Sequence, residues 1–571
     1  MADLNIVIAG AAGQGVQTAA GTLGRTLLRL GYHVFTTQDY QSRIRGGHNF
    51  MRIRFSDHPL RASVRRADFL LALNSESIIL HLPELAPDGL ALCMEDDRGE
   101  ATDSRLRVLP KSVGPSAART NRFAGVKLLA MLFTLIGFPP EILAGAVKAE
   151  LTERLKPEVL QANLDAVHDV SVFIERNDIR PITFRPGPEG QNNRMLVSGN
   201  LAMALGMIAA GIGVYAGYPM SPATSFMDYF ATYGRELGIV VEQTEDEISA
   251  LNTAIGAAYA GARAAAGTSG SGISLMTEAI GLAGISETPV VIIDGQRPGP
   301  AVGMATRTEQ SDLLFVVHAS QGEFPRAVIA PSSHDDGFYL AAEAFNIAER
   351  WQAPVFLMDD QALADAEATV EEYDLSRVTI DHGPVAPEPD EPQVLRRYLV
   401  TESGVSPRAY PLVSKWIVAQ DSHEHDEVGH LTDNAANRVR QVTKRMRKLE
   451  GIAASFPGPE IVHPESSILL LCWGSTVGPV LEGLELLREE GYDLGAAVFR
   501  YLYPMNKDAV RAALGDRRLV TFEMNYTGQL GKLLLLETGL ATQGHIGKFD
   551  GRITTVEDVV ACVKEFLGSA R

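Results

Sequence analysis

The feature that most constrains the fold of this chain is a repeated alternation of short β-branched runs with longer segments of helical periodicity. The runs include LNIVIA, GIVVEQ, TPVVIID, APVFLMD and SILLLCW. Each has the length of a strand, and glycine or proline punctuates the segments between them. Strands that alternate with helices in this way predict parallel sheets covered by helices. The chain has 571 residues, so it should form several such units, since one domain takes roughly 150 residues.

Composition shifts divide the chain into three predicted α/β units. Prolines, glycines and asparagines cluster in RPITFRPGPEGQNNR and mark a linker, and a later acidic, proline-rich stretch marks a connector with one long helix. The predicted segments are a first unit at 1–180, a linker at 181–194, a second unit at 195–360, the connector at 361–463 and a third unit at 464–571.

Charge and cysteine content exclude several classes of function. A net charge of -19 repels phosphate backbones, so nucleic acid is not an expected partner. No apolar run is long enough to span a bilayer, and the N-terminus has an acid where a secretory signal needs positive charge, so we expect a cytoplasmic protein. The cysteines are only Cys93, Cys472 and Cys562, far apart in sequence, and cannot build an iron–sulfur or zinc site in this chain alone.

The stretch VEQTEDEISALN places four carboxylates within six residues. Thr244 and Glu247 fit a capping box, and Glu245 and Asp246 would then lie in the first helical turn, where the helix dipole favours acids. The stretch also follows the strand GIVV, and open α/β sheets place ligands at the carboxyl ends of their strands. By chemistry alone any of three carboxylates, at 245, 246 or 247, could act on such a ligand.

Several longer motifs around this stretch resemble a known family. YPMSPAT, TSGSGISLM, QRPGP and MATRTEQSDLL are similar to the α subunit of 2-oxoacid:ferredoxin oxidoreductases. GAAGQGVQTAAGTLGRTL with QSRIRGGHNFMRIR resembles the γ subunit of the same enzymes, here fused ahead of α, and LCWGSTVGPVLEGLELLREEGYDL resembles their transketolase-C-terminal-like domain. The implied fold class is α/β, with an N-terminal γ-like domain, a thiamine-diphosphate pyrimidine-binding domain and a transketolase-C-terminal-like domain.

The resemblance implies an enzyme that is active only with a separate β subunit. Thiamine diphosphate would be shared with that subunit, which would also hold Mg²⁺ and a [4Fe-4S] cluster, in an (αβ)2 assembly. The implied reaction converts 2-oxoglutarate, coenzyme A and oxidised ferredoxin reversibly into succinyl-CoA, CO₂ and reduced ferredoxin. Pyruvate and branched-chain 2-oxoacids stay open as alternative substrates.

The resemblance also implies roles for individual residues. Glu245 matches the catalytic glutamate, which stabilises the imino tautomer of the aminopyrimidine, whose nitrogen removes the C2 proton. Ser221 and Arg307 match substrate-binding positions, and Asp246 and Glu247 are left to helix capping. The predicted cofactor-binding residues are Tyr218, Pro219, Glu245, Gly270 and Gly272. The predicted coenzyme A-binding residues are Arg43, Arg45, Gly46 and Gly47. No metal ligand is expected in this chain.

Two other classes of function remain open from the sequence. Gly10, Gly13 and Gly15 do not fit G-x-G-x-x-G, but Asp39 follows the second predicted strand, where a dinucleotide site keeps its ribose-binding acid. An NAD(P)- or flavin-linked dehydrogenase is therefore one alternative. A non-catalytic partner protein, in which Glu245 only caps a helix, is the other.

Overall fold

The structure is a computed structural model that describes residues 3–41, 46–115, 123–177 and 193–569. Arg43, Arg45 and most of the predicted linker therefore lie outside the described residues. The chain forms two compact units. The first comprises the chain up to Val197 with residues 366–372 and 555–557, and the second comprises the rest.

The first unit is built on a mixed eight-stranded sheet with helices on both faces. Its strands are β1 (Asp3–Ala12), β2 (His33–Asp39), β3 (Gly46–Ser56), β4 (Ala67–Ala72), β5 (Leu85–Met94), β6 (Leu106–Leu109), β7 (Met195–Ser198) and β14 (Glu367–Val370). Its helices are α1 (Val16–Arg29), α2 (Ser75–His81), α3 (Ala124–Leu135), α4 (Pro140–Leu151) and α5 (Pro157–Arg176). The sheet order is β6-β5-β4-β1-β3-β2-β14-β7.

The first two strands of the chain do not form a parallel βαβ unit. β3 lies between β1 and β2 and runs antiparallel to both, so β1 and β2 do not pair with each other. The segment GGHNFMRIRFS alternates in a way that suits a strand, and its buried residues complete the core beneath α1. Within the predicted connector, β14 pairs antiparallel with β2 and so belongs to this sheet.

The second unit contains the predicted parallel sheet, which has seven strands. Its strands from the middle of the chain are β8 (Val214–Gly217), β9 (Val240–Gln243), β10 (Ala264–Thr268), β11 (Val290–Gln296), β12 (Ala327–Ile329) and β13 (Pro354–Asp360). The helices here are α6 (Gly199–Ala209), α7 (Thr224–Leu237), α8 (Glu247–Tyr259), α9 (Gly270–Ile285), α10 (Leu313–His318), α11 (His334–Trp351) and α12 (Gln361–Asp365). Separate apolar clusters cover the two faces of the sheet, as a doubly wound fold requires.

The second unit also contains a five-stranded sheet of order β17-β19-β18-β21-β22. The remaining strands are β15 (Gln393–Val394), β16 (Trp416–Ile417), β17 (Glu460–Val462), β18 (Ile468–Trp473), β19 (Leu494–Phe499), β20 (Tyr501–Tyr503), β21 (Arg518–Glu523) and β22 (Gly544–Gly547). The remaining helices are α13 (Ala435–Ser455), α14 (Val477–Glu489), α15 (Lys507–Leu514), α16 (Gln529–Thr538) and α17 (Val556–Ser569). The order of the seven-stranded sheet is β20-β12-β13-β11-β10-β8-β9. Its edge strand β20 pairs antiparallel with β12, so the C-terminal segment is joined to that sheet. The predicted α/β fold class is confirmed.

A buried ion cluster attaches the long helix α13 to the segment between α9 and β11 of the seven-stranded sheet. Glu287, just after α9, forms ion pairs with Lys444 (2.8 Å) and Lys448, and all three side chains are fully buried. Burial lowers the pKa of Lys444 to about 8 and that of Lys448 to about 7. Burial alone would raise the pKa of Glu287, but the neighbouring cations hold it below its usual range. The carboxylate therefore compensates two buried ammonium groups at once.

Replacing Glu287 with glutamine should be strongly destabilising, because it leaves both lysines buried without a counter-charge. We expect Glu287→Gln to lower the free energy of unfolding by about 3–5 kcal/mol, measured by urea denaturation. Glu485→Gln is the control, because Glu485 is 62% exposed and pairs with His463 at the surface. That change should cost less than about 1 kcal/mol, and equal effects of the two changes would contradict the role of the cluster.

Candidate active site

The predicted cofactor-binding residues gather at the carboxyl ends of neighbouring strands in the seven-stranded sheet. Residues 218–221 follow β8, the acidic stretch follows β9, and Gly270 and Gly272 follow β10. β9, β8, β10 and β11 are consecutive, parallel neighbours. Parallel strands bring their carboxyl ends to one edge, so these loops converge there.

The start of α8 differs from the predicted capping box. Asp246 is the N-cap, and its Oδ1 accepts a hydrogen bond from the Ser249 amide at 2.8 Å. Thr244 instead donates from its hydroxyl to the main-chain carbonyl of Asp246 at 2.8 Å, so the prediction that Thr244 and Glu247 form the cap is wrong. Asp246 has an extended backbone and a short acidic side chain, which together make it the better cap.

This helix start separates the two candidate glutamates. Glu245 precedes the helix and is exposed, whereas Glu247 is the first helical residue and is 3% exposed. Oε1 of Glu247 is buried and has no hydrogen-bond partner among the described residues. Leaving a buried acceptor unpaired costs about 1–3 kcal/mol. The geometry therefore singles out Glu247 as a carboxylate available to a ligand.

The glycines at the start of α9 make room for this carboxylate and its neighbours. An ideal Cβ on Gly272 would lie 1.9 Å from Thr268 Oγ1 and 2.9 Å from Glu247 Oε1. A Cβ on Gly270 would lie 2.3 Å from Asp312 Oδ2. The hydroxyls of Thr268 and Ser269 are fully buried and, like Glu247 Oε1, have no partner among the described residues.

Sequence reasoning missed a buried arginine in the centre of this group. Arg297, in the motif QRPGP, donates from Nη1 to the main-chain carbonyl of Ser221 at 3.0 Å. Its charge also interacts with those of Glu247 and Asp312. Burial, together with the nearby acid Glu309, raises the pKa of Asp312 to about 6. The signal in the sequence was a cation directly after a strand, at the edge where the ligand was expected.

The predicted substrate residue Arg307 lies on the loop between β11 and α10 and is half-buried. Three residues later, Gln310 is fully buried and binds the C-terminal sheet through four hydrogen bonds. Its amide donates to Met524 O (2.8 Å), its Nε2 to Trp473 O (2.8 Å), and its two oxygens accept from the Met524 amide (3.1 Å) and Asn525 Nδ2 (2.9 Å). The Arg307 loop is therefore held by the C-terminal sheet.

The first unit contains a separate cavity of about 450 Å³ at the glycine turn after β1. Gly13, Gly15, Asp39 and Gln41 are among the residues that line it. Gly46 and Gly47, at the start of β3, both have positive φ angles. A Cβ on Gly47 would lie 2.5 Å from Gln41 Oε1, so Gly47 packs against a residue of the cavity wall.

Two family models match the chain in succession. The one described as Pyruvate ferredoxin/flavodoxin oxidoreductase matches residues 5–171, and the one described as Pyruvate flavodoxin/ferredoxin oxidoreductase, thiamine diP-bdg, matches residues 205–444. Among curated relatives, 2-oxoacid:ferredoxin oxidoreductase 2, subunit alpha, of Aeropyrum pernix is 32% identical, over 99% of this chain and 98% of its own length. The 2-oxoglutarate oxidoreductase subunit KorA of Mycobacterium tuberculosis is 28% identical, over 93% of this chain and 87% of its own.

A solved structure is similar over the whole length of the chain. The 2-oxoglutarate:ferredoxin oxidoreductase from Magnetococcus marinus, with 2-oxoglutarate, coenzyme A and succinyl-CoA bound, matches with a TM-score of 0.91 and 27% identity, covering 99% of both chains. Together with the site, these matches define an oxidoreductase with a thiamine diphosphate-binding domain. The chain belongs to the 2-oxoacid:ferredoxin oxidoreductase family.

The comparisons do not support the alternative of an NAD(P)- or flavin-linked dehydrogenase. The fold offers a physical reason, because β3 separates the two strands that a dinucleotide-binding βαβ unit would place side by side. No helix in the described ranges is long and apolar enough to cross a membrane. In the same ranges, no group of three or more His, Cys, Asp or Glu side chains is arranged to hold a metal ion.

Adding a methyl group at Gly272 should disturb the site and the fold together. We expect Gly272→Ala to lower the free energy of unfolding by about 1–3 kcal/mol, because the methyl group must displace Thr268 or Glu247. Gly256→Ala is the matched control, since Gly256 is exposed within α8 and its Cβ would meet nothing within 4 Å. The control should be stabilising by up to about 1 kcal/mol through helix propensity. Thermal unfolding of both variants measures the difference, and a neutral Gly272→Ala would contradict the close approach.

Proposed function

We propose that this chain is the alpha subunit of a 2-oxoglutarate:ferredoxin oxidoreductase, which converts 2-oxoglutarate and coenzyme A reversibly to succinyl-CoA and CO₂ with ferredoxin as electron acceptor. The observation that carries the proposal is the buried, unpaired carboxylate of Glu247 beside the glycines of α9, within the domain matched by the thiamine diphosphate family model. The choice of substrate is supported by the relatives named for 2-oxoglutarate.

The residues present suit the aminopyrimidine end of thiamine diphosphate. A buried carboxylate that lacks a donor is matched to a protonated ring nitrogen, and glycines allow a flat ring to approach the backbone. When bound, the cofactor supplies the carbon nucleophile and the electron sink for decarboxylation. We propose that Glu247, rather than the Glu245 expected from the sequence, holds the proton at N1′.

We assign substrate contacts to Ser221 and Arg307. The side-chain hydroxyl of Ser221 has no hydrogen-bond partner among the described residues, which leaves it available to donate to a carboxylate or a keto oxygen. The Arg307 guanidinium has the planar, two-pronged geometry that a carboxylate requires. Tyr218 and Pro219 are exposed at the same edge, where they can contact the cofactor or the subunit that covers it.

We further propose that a β subunit covers this edge and contributes the diphosphate site, Mg²⁺ and a [4Fe-4S] cluster, in an (αβ)2 assembly that reduces ferredoxin. Large apolar side chains near the site support this proposal: Tyr218 is 39% exposed, Ile248 next to Glu247 is 47% exposed, and Leu275 on α9 is 51% exposed. Exposed apolar groups of this kind beside a polar site are typical of surfaces that a partner covers.

For coenzyme A we propose the cavity of the first unit. The amides of its glycine turn and of Gly46 and Gly47 offer donors for phosphate oxygens, and Asp39 offers an acceptor for a sugar hydroxyl. Arg43 and Arg45, predicted for the same ligand, lie outside the described residues and stay a prediction.

Replacing each glutamate with glutamine, which removes the negative charge and keeps the shape, distinguishes the structural assignment from the sequence-based one. In the reconstituted complex we expect Glu247→Gln to reduce oxoacid-dependent viologen reduction by at least ~10²-fold, because the carboxylate can no longer hold the N1′ proton. Glu245→Gln should keep activity within about threefold of wild type, since this side chain is exposed and lies outside the helix.

The reverse pattern, with Glu245→Gln inactive and Glu247→Gln active, would restore the sequence-based assignment. Retained activity in both variants would show that neither carboxylate acts on the cofactor.

Removal of the Arg307 guanidinium tests the substrate assignment. We expect Arg307→Ala to lower kcat/KM for the oxoacid by at least ~10²-fold, because a bidentate charge pair is lost. Arg377→Ala, at an exposed position in the connector, should have no effect. A change confined to the KM for coenzyme A would contradict the assignment.

The substrate itself is decided by measuring the activity of the wild-type complex with 2-oxoglutarate, pyruvate and branched-chain 2-oxoacids.

A further inference from the structure

The end of β11 supports the Ser221 loop at two points. Gly295 lies under Pro222 so closely that an ideal Cβ there would be 2.8 Å from Pro222 Cγ. Two residues later, Arg297 donates from Nη1 to the carbonyl oxygen of Ser221 at 3.0 Å. The short segment 295–297, at the end of β11, therefore helps to fix the main chain of the proposed substrate-binding serine.

A third contact reaches the same loop from α6. Asn200, 1% exposed, donates from Nδ2 to the carbonyl of Pro222 at 3.0 Å and to the hydroxyl of Ser225 at 2.7 Å. Asn200 and Arg297 thus hold consecutive carbonyl groups of the loop. Of the two side chains only Arg297 carries charge, so it can influence both the position of the loop and the electrostatics of the site.

Arg297 is also the cation that faces the acids of the site. It is 7% exposed, and the charged groups that act on it are Asp312, just before α10, and Glu247, at the start of α8. Burial lowers the pKa of Arg297, and these two carboxylates counteract part of that effect. Asp312 in turn interacts with Glu309 and with the fully buried Asp294. Without Arg297, Asp312 would face Glu309 and Asp294 without the cation that offsets them.

We propose that Arg297 is a positioning residue for the reaction: its guanidinium fixes the main chain of Ser221 for substrate binding, and its charge compensates the carboxylates of Glu247 and Asp312. This inference rests on the proposed function, since it takes the roles of Ser221 and Glu247 from there. Arg297 would then have two effects: it positions Ser221 for binding the oxoacid, and its charge influences the proton that Glu247 holds at N1′.

Two substitutions separate these effects in the reconstituted complex. Arg297→Met removes both, so we expect the KM for the oxoacid to rise by at least ~10-fold and the exchange of the cofactor C2 proton with deuterium, followed by NMR, to slow by at least ~10-fold. Arg297→Lys keeps the charge but not the planar fork, so exchange should return to within about threefold of wild type while the KM stays raised.

Arg326→Met is the matched control, because Arg326 is a second buried arginine of this sheet that donates to main-chain carbonyls, those of Val316 and Ala319. It should lower the free energy of unfolding and leave both the KM and the exchange rate per folded complex unchanged. If Arg297→Met behaves like this control, Arg297 is only structural and the proposal is overturned. The same holds if Arg297→Met does not assemble and Arg297→Lys shows a wild-type KM.

The wild-type complex decides the proposed function independently. If the wild-type complex fails to reduce viologen with every 2-oxoacid tested, the proposed function fails, whatever the Arg297 variants show. If it is active, only the ratios of the variants to wild type bear on Arg297.

Discussion

The site depends on one buried glutamine that joins two sheets. Through its side chain and main chain, Gln310 makes four hydrogen bonds to the C-terminal sheet, at the ends of β18 and β21. Breaking this set would leave several buried polar groups unpaired, each at a cost of about 1–3 kcal/mol. The loop that carries Arg307 is therefore anchored to the C-terminal sheet, although it belongs to the preceding domain in sequence.

A second buried side chain supports the same arrangement. Asp360, the last residue of β13, accepts from the hydroxyl of Thr308 at 3.0 Å and from the amide of Ser475 at 3.2 Å. Thr308 is the neighbour of Arg307, so the loop is held from its own sheet as well. Gly474 has a positive φ, and a Cβ there would lie 2.5 Å from Gln310 Nε2, which explains glycine at the start of this contact. The C-terminal domain thus contributes to the site by holding a loop, without supplying any of the predicted site residues.

Local patterns predicted most elements of the fold but not its long-range pairings. The strands GIVVEQ, TPVVIID and APVFLMD all form where the sequence pattern places them. β10 was missed because Ala264–Thr268 consists of small residues with low strand propensity, although it occupies the centre of the sheet. The insertion of β3 between β1 and β2, and the return of β14 to the first sheet, depend on contacts between distant segments that no local pattern contains. For the same reason the position of Ser221 was predictable, whereas its contact with Arg297 was not.

The choice between Glu245 and Glu247 follows from where α8 begins, and that information was present in the sequence. The buried apolar positions of the helix are Ala250, Leu251, Ala254, Ile255 and Ala258. Helical spacing of three and four residues extends this buried stripe backwards to position 247, whereas 245 lies before the N-cap. Asp246 as the cap makes Glu247 the first helical residue and directs it into the sheet edge. The motif resemblance favoured Glu245, whereas the helical period places Glu247 on the buried face of α8, and that placement is the physical ground for proposing Glu247.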